Sequence, residues 1–117
     1  MEIRMFVNTG FFDKCWRSLG LNDEDLRNLQ NILLANPVVG DIIEETGGVR
    51  KVRWNLGTGK SHGARIIYLD LEKHEMLYCL MAYPKSVKED LTAEDKKAIR
   101  HLVNDIKAGL EGLHKSY

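Results

Sequence analysis

A chain of 117 residues with 44% hydrophobic content carries enough apolar material for one core, and its 17 basic and 17 acidic side chains leave it formally neutral. No apolar run approaches bilayer-spanning length, the longest being Met76 to Tyr83, and Glu2, Arg4, Asp13 and Lys14 interrupt the stretch where a secretory apolar region would lie. The expectation is a single domain over residues 1–117, soluble and cytoplasmic, with no membrane partner and with Cys15 and Cys79 as incidental reduced thiols.

Ile3 to Asn8 alternates weakly and predicts a short first strand. Phe12, Cys15, Trp16 and Leu19 recur at helical spacing within Phe11 to Leu19, and Gly20 ends that helix. Asn22 reads as the N-cap of a second helix. Asp23, Glu24 and Asp25 put negative charge at its positive end, Leu26, Leu29, Ile32 and Leu33 form its apolar stripe, and Pro37 stops it at Asn36. Asn36 to Gly48 is turn-rich, and Gly47-Gly48 reverses the chain into a strand over Val49 to Trp54. In that strand Val52 and Trp54 share one face, and Lys51 and Arg53 the other.

A glycine-rich loop follows over Asn55 to Gly63, then a strand from Arg65 to Leu71 and a polar turn over Glu72 to Glu75. Met76 to Tyr83 is apolar on both faces, which places it inside the sheet. Thr92, with Asp95 three residues on, opens the last helix as a variant capping box. Ile99, Leu102, Val103, Ile106, Leu110 and Leu113 then fall on one face. The order strand, two helices, three strands, helix implies an α+β layer with a small, mostly antiparallel sheet packed against N-terminal helices and a C-terminal helix.

Charge is segregated along this order. From Thr46 to Leu69 the chain carries Arg50, Lys51, Arg53, Lys60 and Arg65 and no acid, so the remainder is net −5. Such a cationic strip repels itself, an anionic partner offsets that repulsion, and the commonest large polyanions are nucleic acids.

Individual motifs are weaker. Gly59-Lys60-Ser61 looks like the end of a phosphate-binding P-loop, but Trp54 stands where the first glycine is needed, and Gly63 leads into Ile66-Ile67 where a helix is needed. The loop reads instead as backbone that lets Lys60 approach a phosphate flexibly. His62, His74, His101 and His114 show no ligand spacing with each other or with the cysteines, so no metal and no cofactor is expected. His62 alone sits in the cationic loop, either as an exposed residue or as an imidazole titrating near neutrality. Tyr83-Pro84-Lys85 ends a core strand with a phenol and an amine, which by themselves read as a strand-end aromatic and a solvated lysine. Trp16 and Trp54 read as core rather than as base-stacking platforms.

Together these pieces resemble a known family. The string Asn36-Pro37-Val38-Val39-Gly40-Asp41, then Thr46-Gly47-Gly48-Val49-Arg50-Lys51-Val52-Arg53, then Gly59-Lys60, Gly63 and Arg65-Ile66-Ile67-Tyr68, is similar to HigB-like toxins of the RelE/ParE superfamily. Tyr83, Lys85 and Asp90-Leu91-Thr92 match its downstream pattern. The chain departs from the pattern at Ser61 and His62, where HigB-like members commonly have Arg then Gly, and at Leu69, which replaces a frequent aromatic.

The resemblance implies the toxin of a type II toxin–antitoxin pair, a ribosome-dependent endoribonuclease acting on messenger RNA. It also implies a helix-turn-helix, HigA-like antitoxin as partner, and operator DNA reached only through that antitoxin. On this reading the 2′-OH of the RNA attacks the adjacent phosphorus without a metal. Arg53 and Arg65 stabilise the charge that develops, Tyr83 and Lys85 complete the catalytic set, and Arg50, Lys51, Lys60 and His62 hold the substrate. A proton-relay role for Tyr83 requires its cationic neighbours to lower the phenol's pKa. The alternatives are a ParE-like toxin that poisons gyrase and a non-catalytic RNA-binding module that tracks the backbone.

Overall fold

The computed structural model describes residues 3–55, 63–88 and 90–115, with side chains to residue 112. Strand β1 spans Met5–Asn8, helix α1 Gly10–Ser18, helix α2 Asp23–Ala35, strand β2 Asp41–Ile42, β3 Arg50–Trp54, β4 Ala64–Leu71, β5 Met76–Pro84, and helix α3 Ala93–Lys115. A single 3₁₀ turn, Glu72–His74, joins β4 to β5, with Glu75 left-handed at φ 53°. The five strands form one sheet in the order β1-β5-β4-β3-β2, antiparallel except for the parallel β1–β5 pair. This is the expected α+β architecture with one addition. The turn-rich stretch before β3 contains β2, whose two residues pair Asp41 with Lys51 and Ile42 with Arg50. Two residues are too few to show a period of two, which is why no strand was expected there.

Local chemistry starts each helix. Thr9 accepts a hydrogen bond from the Phe12 N–H and caps α1, while its hydroxyl donates to the Leu80 carbonyl of β5. Asn22 and Asp25 form a reciprocal capping box on α2, and Thr92 and Asp95 repeat it on α3. Trp16 donates its indole N–H to the Asn22 carbonyl, which fixes the turn between α1 and α2.

Strand alternation then sorts the apolar residues into two cores, one on each sheet face. Ile66, Tyr68, Leu77, Cys79 and Ala82 meet Phe12 and Trp16 of α1 and Leu29 and Leu33 of α2, with Val52 and Trp54 at the margin. Ile67, Leu69, Leu80 and Tyr83 meet Leu91 and the Ile99 and Val103 of α3. β4 lies in the middle of the sheet with Ala64 to Leu69 all buried, and β5 is interior beside it, as its apolar run predicts. Cys15 and Cys79 are both free, and burial pushes the Cys79 thiol up to about 12, so it packs as a neutral group.

The segment from Pro37 to Gly40 is clasped to the sheet. The buried Tyr68 hydroxyl donates to the Pro37 carbonyl at 2.8 Å and accepts from the Gly40 N–H at 2.9 Å. A Cβ on Gly40 would stand 2.9 Å from the Lys51 carbonyl oxygen and 2.9 Å from Tyr68 Cε1, so only glycine allows that approach. Beyond it, the Thr46 hydroxyl donates to the Ile43 carbonyl and accepts from the Val49 N–H, closing the turn into β3. Helix α3 seats on that turn: Arg100 donates to the Glu45 carbonyl and Lys107 to the Gly47 carbonyl.

Removing the clasp tests its weight. Tyr68→Phe strands the Gly40 N–H and the Pro37 carbonyl, and Gly40→Ala forces the segment off the sheet. Each is expected to lower the unfolding free energy by about 1–3 kcal/mol in urea titrations. A change within error for both would show that the segment is not anchored there.

Candidate functional site

Register places the cations. Arg53 of β3 lies directly opposite Arg65 of β4, and Arg65 directly opposite Tyr83 of β5, so the three form one row across the sheet. Lys51, two residues before Arg53, shares their face. That face is the one covered by α3, but the helix packs further along the sheet, against Val49, Ile67 and Leu69. A cleft of about 370 Å³ remains, lined by Val39, Asp41, Lys51, Val52, Arg53, Arg65 and Asp90.

Within it the two arginines differ. Arg53 is exposed, whereas Arg65 is buried at 5% relative exposure. Among the described residues the Arg65 guanidinium makes one long hydrogen bond, 3.4 Å to the Ala64 carbonyl, and no carboxylate comes within ion-pair distance of it. Burying an ionised group without a close counter-ion is costly, and like charges placed directly opposite on neighbouring strands add to the cost. Arg65 therefore keeps most of its donors for a ligand, and the ligand it suits is an anion with two oxygens to present. Lys51 is engaged differently, its ammonium lying 2.8 Å from the Asp90 carboxylate.

Tyr83 is adjacent but enclosed. Its residue is 4% exposed and its hydroxyl oxygen is buried with no hydrogen-bond partner among the described residues. Lys88, held by Asp95 at 2.8 Å, stands 5.4 Å from the ring centroid. Burial and then the Asp90 carboxylate raise the Tyr83 phenol above its ordinary value, with Asp95 adding to the rise, against an opposing pull from Arg65. The lowered pKa that a relay role requires is therefore absent: at neutral pH this phenol is a firmly protonated donor.

The remaining sequence-predicted residues divide. Lys85 is exposed in the turn after β5, outside the cleft lining, and its backbone N–H donates to the Gly63 carbonyl at the start of β4. Arg50 does not join the group. One residue out of phase with Lys51, it belongs to the opposite face with Val52 and Trp54, where it donates to the Gly40 and Val38 carbonyls. Lys60 and His62 lie outside the described residues. Sequence reasoning missed two acids in the lining, Asp41 and Asp90. Asp41 is placed by the short β2, and Asp90 stands in the downstream family pattern but had been given no role.

Because its hydroxyl is buried without a partner, Tyr83→Phe is expected to leave stability unchanged or raise it by up to about 1 kcal/mol in urea unfolding. A loss larger than that would show that the hydroxyl has a bonding partner.

No family model matches the chain. Among solved structures, the chain is similar to the E. coli toxin RelE, in a variant with two arginines replaced by alanine and in its free state. The TM-score is 0.55 and the sequence identity 16%, over 76% of this chain and 90% of that one. At that identity the likeness is one of architecture, and the chain has a RelE-like α+β fold.

Proposed function

We propose that the protein is the toxin of a type II toxin–antitoxin pair, HigB-like within the RelE/ParE superfamily, and that it cleaves messenger RNA on the translating ribosome. The observation that carries this reading is the buried Arg65 guanidinium, which among the described residues has no carboxylate in contact and stands beside Arg53 over an open cleft. That arrangement suits a phosphodiester, and the similarity to the RelE toxin supports the setting.

In the proposed reaction the 2′ oxygen bonds to phosphorus while the bond from phosphorus to the 5′ oxygen breaks. The 2′ hydroxyl proton passes to solvent water or to the His62 imidazole, and a proton goes to the departing 5′ oxygen. The nucleophile belongs to the substrate, so the chain's own contribution is alignment, charge stabilisation and proton supply. Arg65 and Arg53 bind the non-bridging oxygens as charge builds on them. Tyr83, protonated at neutral pH, suits donation rather than abstraction, and its enclosed hydroxyl must be uncovered before it reaches the leaving oxygen. Lys51 and Lys85 with Lys60 hold flanking phosphates, and His62 adds an imidazole. A HigA-like helix-turn-helix antitoxin neutralises the toxin by covering the cations, and contact with operator DNA runs through that antitoxin.

The enclosed Tyr83 hydroxyl favours a second reading, a module that binds RNA without cutting it. Mapping messenger RNA ends after brief expression separates the two. New in-frame ends on translated messages are expected from the nuclease, intact messages from a binding module, and intact messages with a DNA-damage response from a gyrase poison. Arg65→Ala is expected to fold, since the buried charge it removes is held by one long hydrogen bond among the described residues, and to slow cleavage about a hundredfold with loss of growth inhibition. A folded Arg65→Ala protein that remained fully toxic would sink the assignment.

A further inference from the structure

Two clefts adjoin at one ion pair. The first, of about 370 Å³, contains Arg53 and Arg65; the second, of about 430 Å³, contains Glu44, Leu91 and Lys96. Lys51, Asp90 and Asp41 line both. The contact between the Lys51 ammonium and the Asp90 carboxylate, 2.8 Å long, thus forms part of the wall that separates them.

Asp90 is an unusual resident of a cationic site. Its side chain is 75% exposed, and among the described residues its only side-chain hydrogen bond is the one from Lys51. Lys51 first, then Lys96 and Arg65, favour its charged form. An exposed pair of this kind adds little to the fold, because water screens it on every open side. It does reduce the mutual repulsion of Lys51, Arg53 and Arg65 while no ligand is present. A carboxylate with one oxygen on an ammonium, in the field of a guanidinium, reproduces the charge and acceptor pattern of a phosphate's non-bridging oxygens.

Resting on the nucleic-acid reading of this same site, we propose that Asp90 is a displaceable surrogate for a substrate phosphate. It occupies Lys51 in the free protein. An incoming phosphodiester takes its place on Lys51, and the two clefts become one track that leads an RNA strand from the Arg53–Arg65 row past Lys51 toward Lys96. Four cations, Arg53, Arg65, Lys51 and Lys96, then line the strand's phosphates, which gives backbone affinity without base readout. Because the displaced pair is exposed, exchanging it is cheap, whereas a buried pair in the same place would block the track.

A double-mutant cycle tests this with a short 2′-O-methyl oligoribonucleotide, which lacks the attacking hydroxyl and stays intact. Binding is followed by fluorescence anisotropy at fixed salt for the wild type, Asp90→Asn, Lys51→Ala and the double variant, each first shown to be folded. With Lys51 present, Asp90→Asn is expected to tighten binding about three- to fivefold, the size of one exposed ion pair. With Lys51→Ala the same change is expected to do almost nothing. In the wild type the Asp90 carboxyl signal in carbon NMR is expected to titrate higher once the oligonucleotide is bound, as Lys51 leaves it. Equal tightening in both backgrounds overturns the proposal, since Asp90 would then be a diffuse negative charge, and it leaves the nuclease reading standing. Absence of binding by all four proteins also overturns it, and the message mapping then decides the underlying reading independently.

Discussion

A guanidinium buried in the middle strand of a sheet constrains everything around it. Arg65 takes a position in β4 where its neighbours Ala64, Ile66 and Ile67 are fully buried. Among the described residues no carboxylate contacts it, it is largely shut off from water, and Arg53 faces it across the ladder. The guanidinium's solvation stays incomplete until something anionic arrives. The rest of the molecule has to be stable enough to tolerate that, and the two apolar cores on either side of the sheet provide the stability.

Where the charge points depends on register. A one-residue slip of β3 would turn Arg53 toward the α1–α2 core and bring Trp54 out over the cleft. Several independent contacts resist the slip. Val52 and Trp54 pack on the first core, Trp16 lies 6.2 Å from Trp54 between ring centroids, and Arg50 reaches back to the Gly40 and Val38 carbonyls. The Tyr68–Gly40 clasp then holds the chain that precedes β2, which in turn sets Asp41 opposite Lys51. Arg50 is thus better understood as scaffold than as ligand contact: its charge contributes to the field, but its donors are used by backbone.

This distinction explains what could be read from sequence and what could not. Composition sees charge, while periodicity sees faces, and the two disagree at Arg50. Counting the cationic strip put Arg50 with Lys51 and Arg53, although the same alternation that paired Lys51 with Arg53 sets Arg50 among Val52 and Trp54. Helix starts were legible because capping is local: Asn22 with Asp25 and Thr92 with Asp95 need only four residues each. Thr9 carries a weaker signal, because Phe12 stands three residues on where the other two caps have an aspartate to close the box. The Arg53–Arg65–Tyr83 row depends on pairing across three strands, and the Lys51–Asp90 contact spans 39 positions, so neither follows from any local pattern. The raised Tyr83 phenol required knowing both its burial and the approach of Asp90.

The cleft is unevenly equipped, and that bears on the cleavage proposed for it. The neighbouring phenol holds its proton more firmly than a free tyrosine. The carboxylate of Asp90 is weakened as a base by Lys51. Donors and positive charge are therefore abundant beside the described residues, and strong proton acceptors are scarce. Strand cleavage from within the substrate tolerates that imbalance, because preorganised charge at the phosphorus oxygens is usually the largest single contribution to such a step. A fold that buries an arginine at this row, with no described carboxylate in contact to neutralise it, suits the holding of anionic charge before the abstraction of protons.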